Sequence, residues 1–460
     1  MKLLRLDPSK AYLGTSLFLP KEVVREEPIQ GALTFCFGRS AEPRTLARSH
    51  PAHVEVPRAF LGREQLAGLG VEVVDMRPKS FAPSSLRPKA SFSLLPAQVE
   101  TWRAFLLADG GVLHLACGGG KTILGLLKAA IMEGPLLVVS AQKAHLRNWE
   151  QELHDWFDLD GPVGWVHGKK MEYRREVVFA TIQTLAKRVL AGSLPGDFHL
   201  WFSTVIYDEA HHMAAEHFSL AADVCAGERY GLTATPVRVD HNEGIVYSHL
   251  GRIFHSDVSQ ELRPEFHLVR TGVKLPDAEK HRVTDRGGNV HLGLLRIWLG
   301  EQSQRNQLIL ATLDSCLEDG RTVYVLTHSV AHAGWLHEQV DGSGLITGET
   351  KADERLPQLN DYNPVFATMD IGREAYNRKD LDTLLLLTPF AAYEHTAPAL
   401  QQAVGRILRL LPGKKVPQVY LFVDDVEECR GLSFSLKKWA ERQSYEVREE
   451  AWRKRKPKGW

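Results

Sequence analysis

The stretch LHLACGGGKTILGLL at residues 113–127 decides the fold. An apolar run that ends near Leu115 leads into three glycines, and a helical pattern follows them. Glycines let backbone N–H groups turn inward on an anion, and the start of the next helix is electropositive. A lysine can then reach the β- and γ-phosphates, while a threonine hydroxyl can bind magnesium. The stretch therefore predicts a strand, a phosphate-binding loop and a helix, with the loop formed by Cys117, Gly118, Gly119, Gly120, Lys121 and Thr122.

A second motif, TVIYDEAHHMA at residues 204–214, supplies two carboxylates. Its apolar strand delivers Asp208 and Glu209 at the carboxyl end, where ligands collect in open α/β sheets. Asp208 is predicted to bind Mg²⁺ together with Thr122, and Glu209 to orient and deprotonate the water that attacks ATP. Zinc is not expected at three nearby histidines, because they lack the H-E-x-x-H spacing: His211, His212 and His217.

Short apolar runs alternate with helical patterns along most of the chain, as buried parallel strands do. They lie at residues 135–140, 177–181, 204–210 and 230–235, and again at 323–328, 344–348, 365–369, 383–389 and 418–425. This pattern predicts two tandem α/β domains with parallel sheets. Prolines and a glycine-containing turn indicate a linker between them.

These patterns predict five regions. They are an accessory domain of mixed α/β or mostly β structure at 1–88, α/β domains at 89–260 and 291–428, a linker at 261–290, and a helix with a basic tail at 429–460. Residues 1–90 carry 14 Lys and Arg against 9 Asp and Glu, which suits either a phosphate-binding or a merely solvated surface. The basic tail RKRKPKGW is broken by proline and glycine, which suits either a disordered end or a nucleic-acid contact.

Composition limits the class of protein and its compartment. The chain is 44% hydrophobic and 24% charged, as soluble globular proteins are, and its 56 basic residues balance 56 acidic ones. Five scattered cysteines without a C-x-x-C pair argue against a disulfide framework or structural zinc, and they fit a reducing cytosol. No export signal or membrane span is visible, so the cytoplasm of a prokaryotic or phage-infected cell is expected.

In their order along the chain, the motifs resemble those of the DEAH-type superfamily 2 helicases. The resemblance is nearest to the branch of XPB, RecG-like and phage branch-migration helicases, and it covers roughly residues 92–425. The matching segments are LLPAQVETW, LACGGGKT, VVSAQKAHLRNWEQEL, VVFATIQTLAKR, YDEAHH, GLTATPVR, VYVLTHSVAHAGWL, VFATMDIGREAYNRKDLDTLLLLTP and QQAVGRILR. It implies that both α/β domains are RecA-like.

The resemblance also implies roles for single residues. Gln98 looks like the adenine-reading glutamine, and a Q-x-x-G-R-x-x-R pattern looks like the set that faces the nucleotide across an interdomain cleft. An arginine's permanently charged fork suits the charge that develops on a γ-phosphoryl group. The pattern comprises Gln402, Arg406 and Arg409; coupling is implied for His211, Thr233 and Thr235, and sugar-phosphate contacts for Lys143, Thr181 and Thr368.

Departures from the family pattern affect strand grip rather than ATP chemistry. Gln142 replaces a usual proline, and Ala375 and Asn377 stand where glycine and aspartate are common. Since no element that would split a duplex is identifiable, translocation is a firmer expectation than unwinding.

The resemblance implies an ATP- and Mg²⁺-dependent DNA helicase or translocase that moves 3′ to 5′. Its expected partner is single-stranded, forked or branched DNA, remodelled in replication, recombination or repair, with proteins of those processes as candidate partners. The alternatives are the motor subunit of a restriction or defence complex and an RNA helicase. A catalytically inactive scaffold is disfavoured because Lys121, Asp208, Glu209 and Arg406 are intact.

Overall fold

The computed structural model describes most of the chain in two units. The described residues are 6–36, 42–116, 118–215, 217–234, 242–257, 262–285, 287–351, 354–369, 378–389, 397–408, 411, 413–443 and 445–450. The first unit spans residues 1–258 and the second spans residues 259–460. Several residues singled out above lie outside the described set: Cys117, Thr235, Ala375, Asn377, Arg409, the side chain of Gln402 and the basic tail.

The first unit begins with a small mixed α/β domain. Its elements are β1 (Ala11–Leu13), β2 (Ser16–Pro20), α1 (Glu26–Ala32), β3 (Thr34–Phe35), β4 (Arg44–Thr45), β5 (Arg48–Ser49), β6 (His53–Pro57), α2 (Arg63–Gly68) and β7 (Val73–Asp75). The sheet order is β5-β6-β2-β1-β7, with β1 and β7 parallel and the other neighbours antiparallel. Leu17, Leu19, Val54 and Val56 form its core.

An α/β domain built on a parallel sheet follows. Its elements are β8 (Arg87–Pro88), α3 (Gln98–Leu107), β9 (Gly111–Leu115), α4 (Lys121–Ile131), β10 (Leu136–Ser140), α5 (Lys143–Trp156), β11 (Phe157–Asp158), β12 (Gly164–Val166), β13 (Val177–Thr181), α6 (Ile182–Leu190), α7 (Phe198–Trp201), β14 (Thr204–Asp208), β15 (Glu228–Thr233), α8 (Glu243–Leu250) and β16 (Ile253–Asp257). Two 3-10 helices, Ala210–Ala214 and Phe218–Val224, lie between β14 and β15.

The strand order of this sheet is β12-β13-β10-β14-β15-β9-β16, and neighbouring strands are parallel. β10 is buried along its whole length and β14 until its last residue, because helices cover both faces. The apolar runs that predict these strands arise from this double burial. The carboxyl ends of the parallel strands meet at one edge of the sheet, and the phosphate-loop and carboxylate motifs follow two of those strands.

Hydrogen bonds join the small domain to the amino-terminal end of β15, at the opposite end of the strand from the two motifs. Arg58 Nη1 donates to the carbonyl oxygens of Ala226 and Gly227, at 2.8 Å each, just before β15 begins. The fully buried Arg229 donates from Nη2 to the Thr15 carbonyl at 2.6 Å. The small domain and the first α/β domain therefore share one compact unit.

The second unit is also α/β. Its elements are β17 (Glu265–Arg270), α9 (Leu292–Gly300), α10 (Ser303–Glu318), β18 (Val323–Thr327), α11 (Val330–Glu338), β19 (Gly344–Ile346), α12 (Arg355–Asp361), β20 (Val365–Thr368), β21 (Thr383–Leu386), α13 (Ala397–Ile407), β22 (Gln418–Val423), α14 (Glu427–Arg442) and β23 (Glu446–Glu450), with a 3-10 helix at Asp277–Arg282. The strand order is β19-β20-β18-β21-β22-β17-β23, and neighbouring strands are parallel. The expectation of two tandem parallel α/β domains is confirmed.

The segment 261–290 differs from the linker that its prolines indicate. It contains β17, which pairs with β22 on one side and β23 on the other. The residues Phe266, Leu268 and Val269 of β17 are buried, so this short apolar run is an interior strand. β23 likewise adds a strand within the region expected to be a helix and a tail.

No helix among the described residues has the length and apolar character needed to cross a membrane.

Candidate active site

The phosphate-loop motif adopts the strand, turn and helix that its sequence predicts. β9 ends at Leu115, and α4 begins at Lys121. Gly118 and Gly120 have φ angles of 87° and 81°, in the left-handed region that glycine adopts without steric cost. The turn places the electropositive start of α4 beside the loop, which is the arrangement that binds phosphate groups.

Gln98 lies against this loop. It is the first residue of α3, and a Cβ atom at Gly120 would lie 2.0 Å from its Nε2. The positive φ angle of Gly120 favours glycine, and a side chain there would also displace the end of the Gln98 side chain. The Gln98 Oε1 accepts a hydrogen bond from the Leu95 N–H at 3.1 Å, which orients the amide. The structure thus brings together the predicted adenine-reading residue and the predicted phosphate loop.

The two carboxylates of the second motif stand at the end of β14. Lys121 Nζ lies 3.3 Å from Glu209 Oε1, and both side chains are 12% exposed. Glu209 has a φ angle of 49°, which is uncommon for a residue with a side chain and marks the sharp turn out of the strand. Asp208 precedes this turn, and its Oδ1 accepts the Glu209 N–H at 3.1 Å. The turn therefore places Glu209 beside Lys121, with Asp208 directly before it in the chain.

The two acids differ in their affinity for protons. Burial raises the pKa of Asp208, and the neighbouring charge of Glu209 raises it further. Burial alone raises the pKa of Glu209 too, but Lys121 and His211 outweigh it and lower the pKa to about 2. The Glu209 carboxylate is therefore ionised at neutral pH, and it would become a stronger base if Lys121 moved away from it. A divalent cation held by Asp208 would favour the ionised form of its carboxyl group.

The residues present fit a nucleotide with Mg²⁺. Oxygen ligands from carboxylate and hydroxyl groups suit this small hard cation, and Asp208 and Thr122 supply them at the end of β14 and in the first turn of α4. Glu209 Oε2 is buried and accepts no hydrogen bond from the described residues, although His211 Nδ1 lies 3.4 Å away. That oxygen has lone pairs left for a bound water.

His211 connects the acids to the neighbouring strand. Its Nδ1 lies 3.1 Å from Thr233 Oγ1, at the end of β15, and 3.4 Å from Glu209 Oε2. The predicted coupling residues His211 and Thr233 are thus in direct contact, whereas Thr235 lies outside the described residues. A shift in the Glu209 carboxylate can reach β15 through one side chain.

Sequence reasoning missed two side chains at Asp208. Trp149 Nε1 donates to Asp208 Oδ2 at 3.0 Å, and His145 Nδ1 lies 3.9 Å from the same oxygen. The two residues are one turn apart on α5, so they share a helix face. The spacing of His145 and Trp149 in the sequence predicts that they share a helix face, but it does not predict which residues that face contacts.

Two predicted strand-contact residues lie at adjacent strand ends in the first unit. Lys143 is exposed and begins α5 after β10, whereas Thr181 ends β13. β10 and β13 pair so that Ser140 and Thr181 are in register. Arg147 Cζ lies 4.4 Å from the ring centroid of Trp165, next to Lys143. Cationic and hydroxyl side chains therefore gather at this edge, as phosphate contacts require.

In the second unit, Thr368 ends β20 in register with Thr327 of β18. Its side chain is 7% exposed. Arg406 lies in α13 and is also 7% exposed. The predicted roles of Gln402 and Arg409 concern groups outside the described part of the chain.

Comparisons with known proteins agree with these motifs. Residues 91–238 match the family model "Type III restriction enzyme, res subunit". The chain is 32% identical over 199 residues to "DNA 3'-5' helicase XPB" of Kineococcus radiotolerans, covering 41% of this chain and 35% of the relative. It is 25% identical over 391 residues to "Probable helicase D10" of Escherichia phage T5, covering 79% of this chain and 78% of the relative.

Among solved structures, "Crystal structure of Pyrococcus furiosus Hef helicase domain" matches with a TM-score of 0.46 and 15% identity, covering 73% of this chain and 97% of that chain. The chain spans about a third of the length of the bacterial XPB relative, and more than three quarters of the phage relative. The chain resembles the superfamily 2 helicases, among them the XPB and phage helicases.

Proposed function

We propose that the chain is an ATP-dependent DNA helicase or translocase that moves 3′ to 5′ along a strand. The observation that carries the proposal is the meeting of Lys121, Asp208 and Glu209 at a glycine loop that begins a helix. Each of these groups has a distinct part in phosphoryl transfer to water.

In the proposed reaction, N–H groups of the loop from Gly118 to Lys121 bind phosphate oxygens of ATP. Lys121 moves from Glu209 to the β- and γ-phosphates, which leaves the Glu209 carboxylate free to accept a proton from the attacking water. Asp208 and Thr122 would hold Mg²⁺, whose charge offsets that of the phosphates. As the family pattern implies, Gln402, Arg406 and Arg409 are proposed to face the nucleotide. The charge of the arginines would offset the negative charge that develops on the γ-phosphoryl group.

Strand contact is assigned to Lys143 and Thr181 in the first unit and to Thr368 in the second. A lysine and two strand-end hydroxyls hold phosphates without reading bases, so little sequence preference is expected. DNA and the 3′ to 5′ direction are supported by the name of the bacterial relative, "DNA 3'-5' helicase XPB". Forked or branched DNA is the more specific proposal, with replication or recombination proteins as partners in the cytoplasm.

The test is ATP hydrolysis by the wild type without nucleic acid and with single-stranded DNA, RNA of the same sequence, duplex DNA and forked DNA. We expect DNA to stimulate hydrolysis, and forks most of all. Stimulation by RNA alone would overturn the DNA assignment. Equal stimulation by forks and by unbranched tailed duplexes would overturn the preference for branches.

A second candidate is the motor subunit of a restriction complex, which the match of residues 91–238 to a restriction-enzyme subunit model favours. For this candidate we expect ATP-driven movement along DNA without strand separation. Displacement of a triplex-forming oligonucleotide without release of a paired strand would support this candidate. Release of the paired strand would support the helicase.

A further inference from the structure

Trp149 is enclosed between the phosphate-loop helix and the strand that carries the acids. Its side chain is 1% exposed and lies on α5, within the core of the first α/β domain. A Cβ atom at Gly125 of α4 would lie 2.5 Å from Trp149 Cη2 and 3.0 Å from Ile206 Cδ1 of β14. The indole therefore occupies space that any side chain at position 125 would need.

The indole N–H points at Asp208 from this enclosed position. Nε1 donates to Asp208 Oδ2 at 3.0 Å, while Oδ1 accepts the Glu209 N–H at 3.1 Å. Among the described residues, each carboxylate oxygen thus accepts from one donor, which sets the plane of the group. His145 Nδ1, 3.9 Å from Oδ2, lies beyond hydrogen-bond distance.

Packing alone does not account for this arrangement. A phenylalanine could fill much of the same volume, but only the indole brings a donor to the buried carboxylate. Partners that orient a metal-binding carboxylate in this way affect metal affinity, even though they do not touch the metal. The geometry therefore suits a group that sets the direction of the Asp208 lone pairs.

We propose that Trp149 is a positioning residue that holds the Asp208 carboxylate in the orientation that binds the magnesium ion of the nucleotide. This inference rests on the proposed function, because it requires that the site binds a nucleotide with Mg²⁺. Gly125 makes the position possible by leaving room for the indole.

The test is ADP binding by the full chain, measured by calorimetry in EDTA and over a series of Mg²⁺ concentrations. For Trp149→Phe, we expect ADP affinity in EDTA to match the wild type, while the Mg²⁺ concentration that gives half of the affinity gain rises about 10- to 100-fold. An unchanged Mg²⁺ dependence overturns the proposal. An equal loss of affinity with and without Mg²⁺ does so as well, because it indicates a general packing defect.

The matched control is Trp298→Phe. Trp298 is 2% exposed and donates from Nε1 to Glu279 Oε2 at 2.6 Å in the second unit, so the control also removes a buried indole donor from a carboxylate. Its Mg²⁺ dependence should equal that of the wild type. If the wild type itself shows no Mg²⁺-dependent ADP binding, the proposed function fails before this inference is reached.

Two further variants separate positioning from packing. In an Asp208→Asn background, Trp149→Phe should cause no additional change in Mg²⁺ dependence if the indole acts through Asp208. Gly125→Ala keeps the indole N–H but displaces the ring, so it should also raise the Mg²⁺ requirement. If circular dichroism shows that Trp149→Phe does not fold, Gly125→Ala becomes the variant that tests the proposal. An unchanged Mg²⁺ requirement in folded Gly125→Ala overturns it.

Discussion

At the scale of single residues, Lys121 contacts the Glu209 carboxylate in the structure and is expected to contact the phosphates of bound ATP. Its Nζ lies 3.3 Å from Glu209 Oε1 at a site where both side chains are nearly buried. We predict that Lys121→Ala lowers ATP affinity about 10- to 100-fold, because a charge-assisted hydrogen bond contributes roughly 1.5–3 kcal/mol. Calorimetry with ATP provides the measurement. Arg103→Ala, at an exposed ion pair with Glu100, serves as the control, and a threefold or smaller effect of Lys121→Ala would argue against the assignment.

In the second unit, two acids that are adjacent in sequence, Asp424 and Asp425, allow a buried ion pair to be compared with an exposed one. Asp424 and Arg305 are fully buried, with Arg305 Nε 2.8 Å from Asp424 Oδ1. Asp425 pairs with Arg430 at the surface. We predict that Asp424→Ala destabilises the second unit by about 3–5 kcal/mol, because it strands a buried guanidinium. Asp425→Ala should cost less than about 1 kcal/mol. Urea unfolding compares the two, and equal costs would contradict the prediction.

At the scale of elements, His332 joins α11 to α10 and β18. Its ring nitrogens lie 3.0 Å from Asn306 Oδ1 and 3.4 Å from Thr327 Oγ1, which suits the neutral imidazole. Burial, together with the charge of Arg305, lowers the pKa of His332 to about 3. The unfolded chain therefore binds a proton that the folded chain excludes between pH 6.5 and 3.

This difference predicts that stability is lost as pH falls below 6.5. The His332 contribution should fall by about 1.4 kcal/mol per pH unit in that window and stay constant above it. Urea unfolding of the wild type and His332→Gln at several pH values isolates the contribution as a difference. The prediction fails if the two proteins show the same pH dependence.

The sequence predicted strands made of a continuous apolar run better than strands that are bordered by prolines or rich in charge. The runs around β10, β13 and β14 are continuously apolar, so their strands are evident. β17 lies between prolines in a segment that reads as a linker, although its neighbours bury it. β23 carries four charges in five residues, and its pairing with β17 depends on tertiary contact.

In the candidate site too, some residues were predictable from the sequence and some contacts were not. Residue types at strand ends predicted the loop and both acids, because parallel strands bring their carboxyl ends to one edge. The contacts of Trp149 and Gln98 were beyond the sequence, since they depend on the direction of a side chain across two helices. The predicted roles of Thr181 and Thr368 remain predictions, because a strand-end hydroxyl has many ordinary uses.

At the scale of the whole molecule, the accessory domain is part of the first unit. Arg58 contributes to this attachment by donating hydrogen bonds to the carbonyl oxygens of Ala226 and Gly227. We predict that Arg58→Met destabilises the first unit by about 1–3 kcal/mol, because it leaves two buried carbonyls without their donor. Proteolysis within residues 6–88 should accelerate, whereas Arg63→Met, which is 84% exposed at that side chain, should leave it unchanged. Equal cleavage rates would show that other contacts suffice.

The most direct test of the central claim is DNA-stimulated ATP hydrolysis by the wild type and Glu209→Gln. The amide keeps the shape of Glu209 but cannot take a proton from water. We expect kcat to fall about 10²- to 10⁴-fold, with ATP still bound within a few-fold of the wild-type affinity. A variant that hydrolyses ATP at the wild-type rate would contradict the assignment of Glu209 and, with it, the proposed motor.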